Sequence, residues 1–419
     1  MQLKNKLASG LGSALEWYDF ALYGYFADIF ARQFFPHNTH HSIALIASFS
    51  VFAIGFAARP LGGILFGIYG DKYGRIKCLR LTPILITVPS ILIALIPTYS
   101  SIGITAPLLL LLLRIMQGIC IGGEFAGNII YLCESDLKRR YFIGSIASVT
   151  AGLGILLASL VASIIYHVMS VDAIALWGWR MAFLLSIIVG SVAFYIRRRL
   201  AETPVYEILQ KINKTSPSPF WEAISHDKKK TALAIGLLFL HANSFYFTFM
   251  FLPSFLTNKL GLTAEASLFH NNFLLLINLT LSPLIGLIAD RIGGQRLMLF
   301  SSLCYLILSV YLFHLICYGH APYTYIAILL FSLLTTLNAG TAPGLLIEIL
   351  PAPTRYTTLA TAFNISFGIF GGSMPLLGYL LIQKMGHIMA PAFYLMISAA
   401  ITFIATILLK RYQLTSNSI

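Results

Sequence analysis

Long apolar stretches, broken by short charged or Pro/Gly-containing turns, recur along almost the whole chain. Twelve of them approach the roughly 20 residues that an α-helix needs to cross a bilayer. They cover 11–35, 42–70, 78–97, 104–133, 142–169, 179–197, 230–258, 267–289, 298–318, 324–349, 357–384 and 391–409. The apolar runs are continuous rather than alternating, which argues against a membrane β-barrel. The expected fold is all-α, with twelve transmembrane helices. A long polar interruption runs from Arg197 to Lys230 and includes Ser216, Pro217, Ser218 and Pro219. It divides the chain into a six-helix bundle at 1–196, a linker at 197–230, and a second six-helix bundle with a short tail at 231–419.

The two sets of six echo each other. After span 2 come Gly67, Asp71, Lys72, Gly74 and Arg75; after span 8 come Gly286, Asp290, Arg291 and Gly293 in the same register. Glu134 with Arg140 and Tyr141 follows span 4, and Glu348 with Arg355 and Tyr356 follows span 10. Two matches in one order predict a duplicated six-helix unit, a plan that suits a secondary transporter with a midplane site.

Composition agrees. Hydrophobic residues make up 58% of the 419 and charged residues 10%, against about 25% charged in soluble domains. A soluble enzyme, a disordered chain and a disulfide scaffold are excluded on that ground. The net charge of +13 would point to nucleic acid on a soluble protein, but here its placement decides. Most Lys and Arg fall in loops that can share one side of a membrane, such as Lys138–Arg140 and Lys228–Lys230. This positive-inside bias predicts cytoplasmic termini and no nucleic-acid partner. Cys78, Cys120, Cys133, Cys304 and Cys317 show neither C-x-x-C nor metal-ligand spacing, so no metal is expected. The N-terminus has no cleavable-signal pattern, and the first apolar run is expected to stay as span 1.

The Gly-x-x-x-Asp-base-x-Gly loop resembles the major facilitator superfamily. Further segments resemble its metabolite:proton symporter branch, which includes proline/betaine, 2-oxoglutarate, citrate and shikimate permeases. These segments are Glu16 to Gly24; Arg59 to Gly63; Arg114, Gln117 and Gly118 followed by Gly122 to Glu124; Glu202 to Pro204; and Arg355, Tyr356, Asn364 and Phe370 to Gly372. The resemblance implies the major facilitator fold, a bacterial inner-membrane location, and spans 1, 4, 7 and 10 lining a central cavity. It also implies alternating access driven by the proton gradient, with no cofactor, by a chain working as a monomer in the lipid bilayer. Two departures stand out. Gly294 and Gln295 occupy the second loop where a base is usual. The tail after span 12 is short, which argues against the osmotic regulation of some relatives.

Ionisable residues inside a span are costly and functional by default. Glu16, Asp19 and Tyr23 share a face of span 1, and Arg114, Gln117, Glu124 and Asn128 share a face of span 4. Asp19 is the expected proton carrier and Arg114 its switchable partner. A carboxylate beside a guanidinium stays ionised, and one separated from it in low dielectric takes a proton. Glu124 is the second candidate for proton coupling, and Asp28 is a third carboxylate of span 1. An earlier start of span 1, near Lys6, would bring Asp19 toward the depth of Arg114. Arg59 has two readings, contact with an anionic substrate or helix packing. His241, Asn243, Tyr246, Asn338 and Asn364 supply polar groups from the second half, and His241 is also a candidate second proton site. An aromatic cage for a quaternary ammonium is available through Trp17, Tyr18 or Tyr246. Asp71, Lys72, Gly74, Arg75, Asp290, Arg291 and Arg355 form the expected cytoplasmic gate. Asp71 is placed to cap a helix N-terminus of the opposite half, where the macrodipole favours an anion.

These features predict import of a small carboxylate or zwitterion by proton symport. The alternatives are an exporter of a small metabolite or citrate-like chelator, and a sensor that binds solute without transporting it. No phosphate-binding G-x-x-x-x-G-K-[ST] loop and no H-E-x-x-H or G-x-S-x-G motif points to a pump or an enzyme.

Overall fold

The computed structural model describes residues 3–36, 40–134, 136–198, 200–212, 216–225, 228–318 and 320–416. It contains helices and turns, with no strand among the described residues. Eleven helices are long and apolar enough to cross a membrane: His41–Tyr73, Arg75–Leu95, Thr105–Glu134, Arg140–Val168, Val171–Arg197, Lys228–Leu260, Ala264–Ile292, Gly294–Tyr318, Ala321–Ile349, Ala352–Met385 and Ala390–Lys410. We number these spans 2 to 12. Span 1 is the helix Leu3–Tyr25, continued after a turn by Ala27–Phe34. It falls below the apolar threshold because it carries Glu16 and Asp19 in its middle and lysines at its start. It also begins earlier than its apolar run, because its first turns are polar; span 6 likewise begins earlier, at Val171.

Between the two sets of six, the linker forms two short helices, Pro204–Lys211 and Pro219–Ser225. Thr203 caps the first by accepting from the N–H of Tyr206, and Pro204 sits in its first turn, where the missing N–H costs nothing.

Span 5 packs along span 1 of its own half and along spans 8 and 10 of the other, and span 2 packs against span 11, so the last three pairs join the two halves. Span 7 is the most enclosed, with 94% of its apolar window buried, whereas the figure for span 6 is 33%. Span 7 therefore lies in the interior and span 6 on the periphery, although both are apolar.

Close backbone approach of spans 2 and 4 sets the centre. A side chain at Gly62 would overlap the carbonyl of Ile119, and one at Gly118 the carbonyl of Gly55. Small residues at such contacts let membrane helices meet backbone to backbone. The arginines on these two helices, Arg59 and Arg114, are consequently held in the core.

Candidate functional site

Two buried polar clusters lie in the middle of the bundle. In the first, Arg59 Nη2 donates to Glu16 Oε1 at 2.7 Å, and Nε donates to Asn364 Oδ1 at 3.0 Å. Both members of this ion pair are 1% exposed. The pair belongs to the first half and Asn364 to span 11 of the second. Asn364 is fixed in turn by bonds from Nδ2 to the carbonyls of Gly122 and Ala360. The guanidinium carbon lies 5.3–5.9 Å from the ring centres of Trp17, Phe20, Phe56 and Phe363. Trp17 lies within 5.6–6.3 Å of the rings of Phe125, Phe245, Tyr246 and Phe367. Around this pair Glu16 Oε2 and Trp17 Nε1 have no hydrogen-bond partner, and Arg59 Nη1 and Tyr246 OH have none beyond a loose contact of Tyr246 with Arg59. Native cores seldom leave such atoms unmatched, so this cluster is a candidate ligand site.

The second cluster is a chain of hydrogen bonds. Ser90 donates to Asp19, Gln117 Nε2 donates to Ser90 Oγ at 2.7 Å, and Arg114 Nη1 donates to Gln117 Oε1 at 2.8 Å. Arg114 lies 4.1 Å from the ring of Phe20 and 4.6 Å from that of Tyr23, whose hydroxyl donates to the carbonyl of Ser48. The early start of span 1 brings Asp19 to this depth. Asp19 and Arg114 do not form a direct ion pair among the described residues; Ser90 and Gln117 stand between them. Arg114, the expected switchable partner of Asp19, is thus linked to it through two side chains.

Helix irregularities lie beside these groups. Span 7 has a π-helical turn over Phe247–Phe251, directly after Tyr246, and span 11 has one over Asn364–Gly371. Such turns rotate the side chains that follow and recur at functional sites.

Other expected site residues lie elsewhere. Glu124 is bound by Arg197 through both carboxylate oxygens and accepts from Thr82. The helix of span 4 is interrupted at Gly122 and Gly123, and Glu124 starts the new segment, which directs it toward spans 3 and 6. Asn128 bonds Thr150 at 3.1 Å and Asn338 bonds Ser301 at 3.1 Å, so both tie neighbouring helices of one half. Asn243 donates to the carbonyl of Phe239 within its own helix. His241 is buried edge-on against Phe367 at 5.0 Å, at the rim of the aromatic cluster. Tyr18 turns away from the cluster to donate to the carbonyl of Ala182. Asp28 sits near the opposite end from the basic loops, with Arg32 at 3.0 Å and His41 at 3.1 Å.

At the basic end, Asp71 Oδ2 accepts from the N–H and hydroxyl of Thr357, at 2.9 and 2.7 Å, and Oδ1 lies 3.0 Å from Arg75. Asp290 accepts from the N–H groups of Tyr141 and Phe142, both at 3.1 Å. Each carboxylate thus caps a helix of the opposite half. Gly74 and Gly293 take φ of 115° and 90° at the ends of spans 2 and 8, which explains their recurrence in register. Arg355 Nη1 bonds Glu134 at 3.1 Å. Lys72 and Arg291 project into solvent. Ser90, Thr82 and Arg197 were not foreseen: serine and threonine are common on membrane helices, and Arg197 reads as an ordinary helix-end charge.

Comparison with known proteins places this geometry. The Major Facilitator Superfamily profile matches residues 10–371. A putative proline/betaine transporter of Staphylococcus haemolyticus is 33% identical, over 96% of this chain and 86% of the relative. The glycine betaine/proline/ectoine/pipecolic acid transporter OusA of Dickeya dadantii is 32% identical, over 96% and 82%. Among solved structures, the proton:xylose symporter XylE bound to 6-bromo-6-deoxy-D-glucose superposes with a TM-score of 0.81 at 17% identity, covering 98% of this chain and 95% of that one. The inward-open form of the E. coli transporter gives 0.69 at 19% identity, covering 96% and 94%. The profile and the full-length relatives together establish that this chain is a multi-pass membrane protein belonging to the Major Facilitator Superfamily.

Proposed function

We propose that the chain is an inner-membrane importer that couples a small zwitterionic or carboxylate solute to protons by alternating access, without chemical change to the solute. The observation that carries this reading is the relay Asp19–Ser90–Gln117–Arg114 in the membrane core. It lies one helical turn from the unsatisfied polar atoms around Glu16 and Arg59. The names of the relatives, proline/betaine and glycine betaine/ectoine transporters, support solutes carrying both charges.

In this reading the basic end is cytoplasmic and both termini lie there. The helix caps made by Asp71 and Asp290 close that end, and a small crevice lined by Tyr25, Asp28, Met250, Ser254 and Asn258 lies toward the other. Asp19 takes a proton from outside when its relay to Arg114 loosens. Re-forming the relay toward the cytoplasm favours the ionised carboxylate and releases the proton. Each solute therefore enters with a proton.

The test is uptake into proteoliposomes with an acid-outside gradient, using labelled proline, glycine betaine, 2-oxoglutarate, citrate and shikimate, with and without a protonophore. Accumulation that collapses with protonophore is expected for a zwitterion. Asp19→Asn should lose accumulation and keep solute exchange. Wild-type accumulation by Asp19→Asn would remove that residue from coupling, and efflux alone under a reversed gradient would make the protein an exporter.

A further inference from the structure

We infer that the Glu16–Arg59 ion pair is a placeholder for the solute's own two charges. The incoming carboxylate replaces Glu16 on Arg59 while the incoming ammonium is taken by Glu16 and the ring of Trp17. The inference rests on the substrate class proposed above and adds the residues and the rule that select it.

The geometry points to exchange rather than to a static pair. Arg59 Nη2 is held by Glu16 and Nε by Asn364, while Nη1 has no carboxylate partner. Release of Glu16 would leave Nη1 and Nη2 side by side, the fork that binds a carboxylate through two parallel hydrogen bonds. Asn364 would keep the guanidinium aimed throughout. On the other partner, Glu16 Oε2 has no bond and Oε1 has only the one that the exchange breaks. The rings that now surround the guanidinium present π faces that favour a cation, and the Trp17 cluster offers the same surroundings to an ammonium.

Charge balance supplies the selection rule. The closed site holds one positive and one negative group with no water-exposed surface. A zwitterion leaves the total unchanged. A plain anion or cation displaces one partner and leaves the other as an uncompensated charge in an apolar interior, which is strongly unfavourable. A static structural pair would impose no such rule.

Isosteres test this. Glycine betaine, 3,3-dimethylbutanoate and choline share one quaternary head, with both charges, only the negative, and only the positive. Proline, cyclopentanecarboxylate and pyrrolidine form a parallel set. Competition against the labelled zwitterion is measured on purified protein, and counterflow in proteoliposomes is read alongside because it needs no proton gradient. The wild type should favour the zwitterion by at least about tenfold over either isostere. Glu16→Gln should reverse the order toward the carboxylate isostere, and Arg59→Gln toward the cation. Arg59→Lys should keep the zwitterion first with weakened binding. Should Arg59→Gln fail to fold, the isosteric Glu16→Gln decides alone. A wild type that takes up zwitterions, with variants keeping its order of preference, overturns this inference and leaves the transport reading standing. A wild type that accumulates a plain carboxylate and no zwitterion likewise overturns this inference alone, and one that binds and moves none of these solutes overturns both.

Discussion

The two halves close the basic end with the same parts in different surroundings. Asp71 is 1% exposed and holds three contacts, two from Thr357 and one with Arg75. Arg75 is equally buried, donates to the carbonyls of Gly70 and Ala352, and lies 5.0 Å beneath the ring of Tyr206 in the linker. Asp290 is only half-buried, and the position matching Arg75 is Gly294. A side chain there would collide with the ring of Tyr141, whose hydroxyl donates to Glu348 at 2.7 Å. The second latch thus has no charge at the position of Arg75, and the ring of Tyr141 fills the space there. Duplication preserved the capping geometry while the charge stayed on one side. Removing one member of a buried pair typically costs about 3–5 kcal/mol, whereas an exposed pair contributes roughly 0–1. The first latch should therefore dominate the closed state.

The largest effect is expected at Asp71. Asp71→Asn keeps an oxygen for Thr357 but leaves Arg75 without a counter-charge in the interior. Uptake should fall by at least about tenfold, and the basic end should open. Spin labels at the exposed positions 72 and 229 should report a longer distance than in the parent protein. An unchanged distance would show that the closed state does not depend on this pair.

A smaller loss is expected at the crossed pair Glu134–Arg355. Glu134 is buried and also accepts from Thr203 at 2.8 Å, while Arg355 is 12% exposed and donates further to the carbonyl of Leu350. Arg355→Gln removes a charge-assisted hydrogen bond across the halves, of the order that contributes about 1.5–3 kcal/mol. Uptake should drop several-fold and the label distance should shift part-way. A loss equal to that of Asp71→Asn would mean that the two contacts act as one unit, which the double variant would reveal as non-additivity.

How much of this was legible beforehand differs between latch and core. The duplicated Asp, base and Gly, and the repeated Glu and Arg-Tyr, pointed to the charged members of both latches, because a repeat exposes positions held by the same geometry. It did not point to Thr357, which donates twice to Asp71. It did not show that the glutamates cross over, Glu134 to Arg355 and Glu348 to Arg140, since sequence order says nothing about which half a side chain faces. In the core, the charges of spans 1, 2 and 4 were visible as exceptions to apolar composition. Their partners were not: Ser90 is one serine among many on the spans, and the break at Gly122–Gly123 turns Glu124 toward Thr82 and Arg197. Twelve spans were readable because the apolar stretches are long, and their first turns were not, because those turns are polar.

Asp290→Asn should weaken the second latch moderately. It keeps one good acceptor for the two N–H groups of Tyr141 and Phe142 and loses the favourable charge at a helix N-terminus, a contribution of about 0.3–1 kcal/mol when solvated. Uptake should fall no more than about fivefold, well short of the Asp71 variant. Equal losses at the two positions would show that the charge missing at Gly294 is supplied by something other than the Tyr141 contact.

The smallest effect is expected at Arg140, and it sharpens the comparison because it separates distance from burial. Arg140 lies 3.9 Å from Glu348, and both side chains are more than a third exposed. Water and ions compete for both groups, and the attraction is screened within about 8 Å at physiological salt. Arg140→Ala should leave uptake within about twofold of the parent at such salt, with any deficit shrinking as ionic strength rises. Glu348 retains its bond from Tyr141, so Tyr141→Phe should cost more than Arg140→Ala although it removes no charge. Were Arg140→Ala instead as damaging as Asp71→Asn, the closed state would depend on crossing charges whatever their solvation, and the inequality drawn from burial would fail.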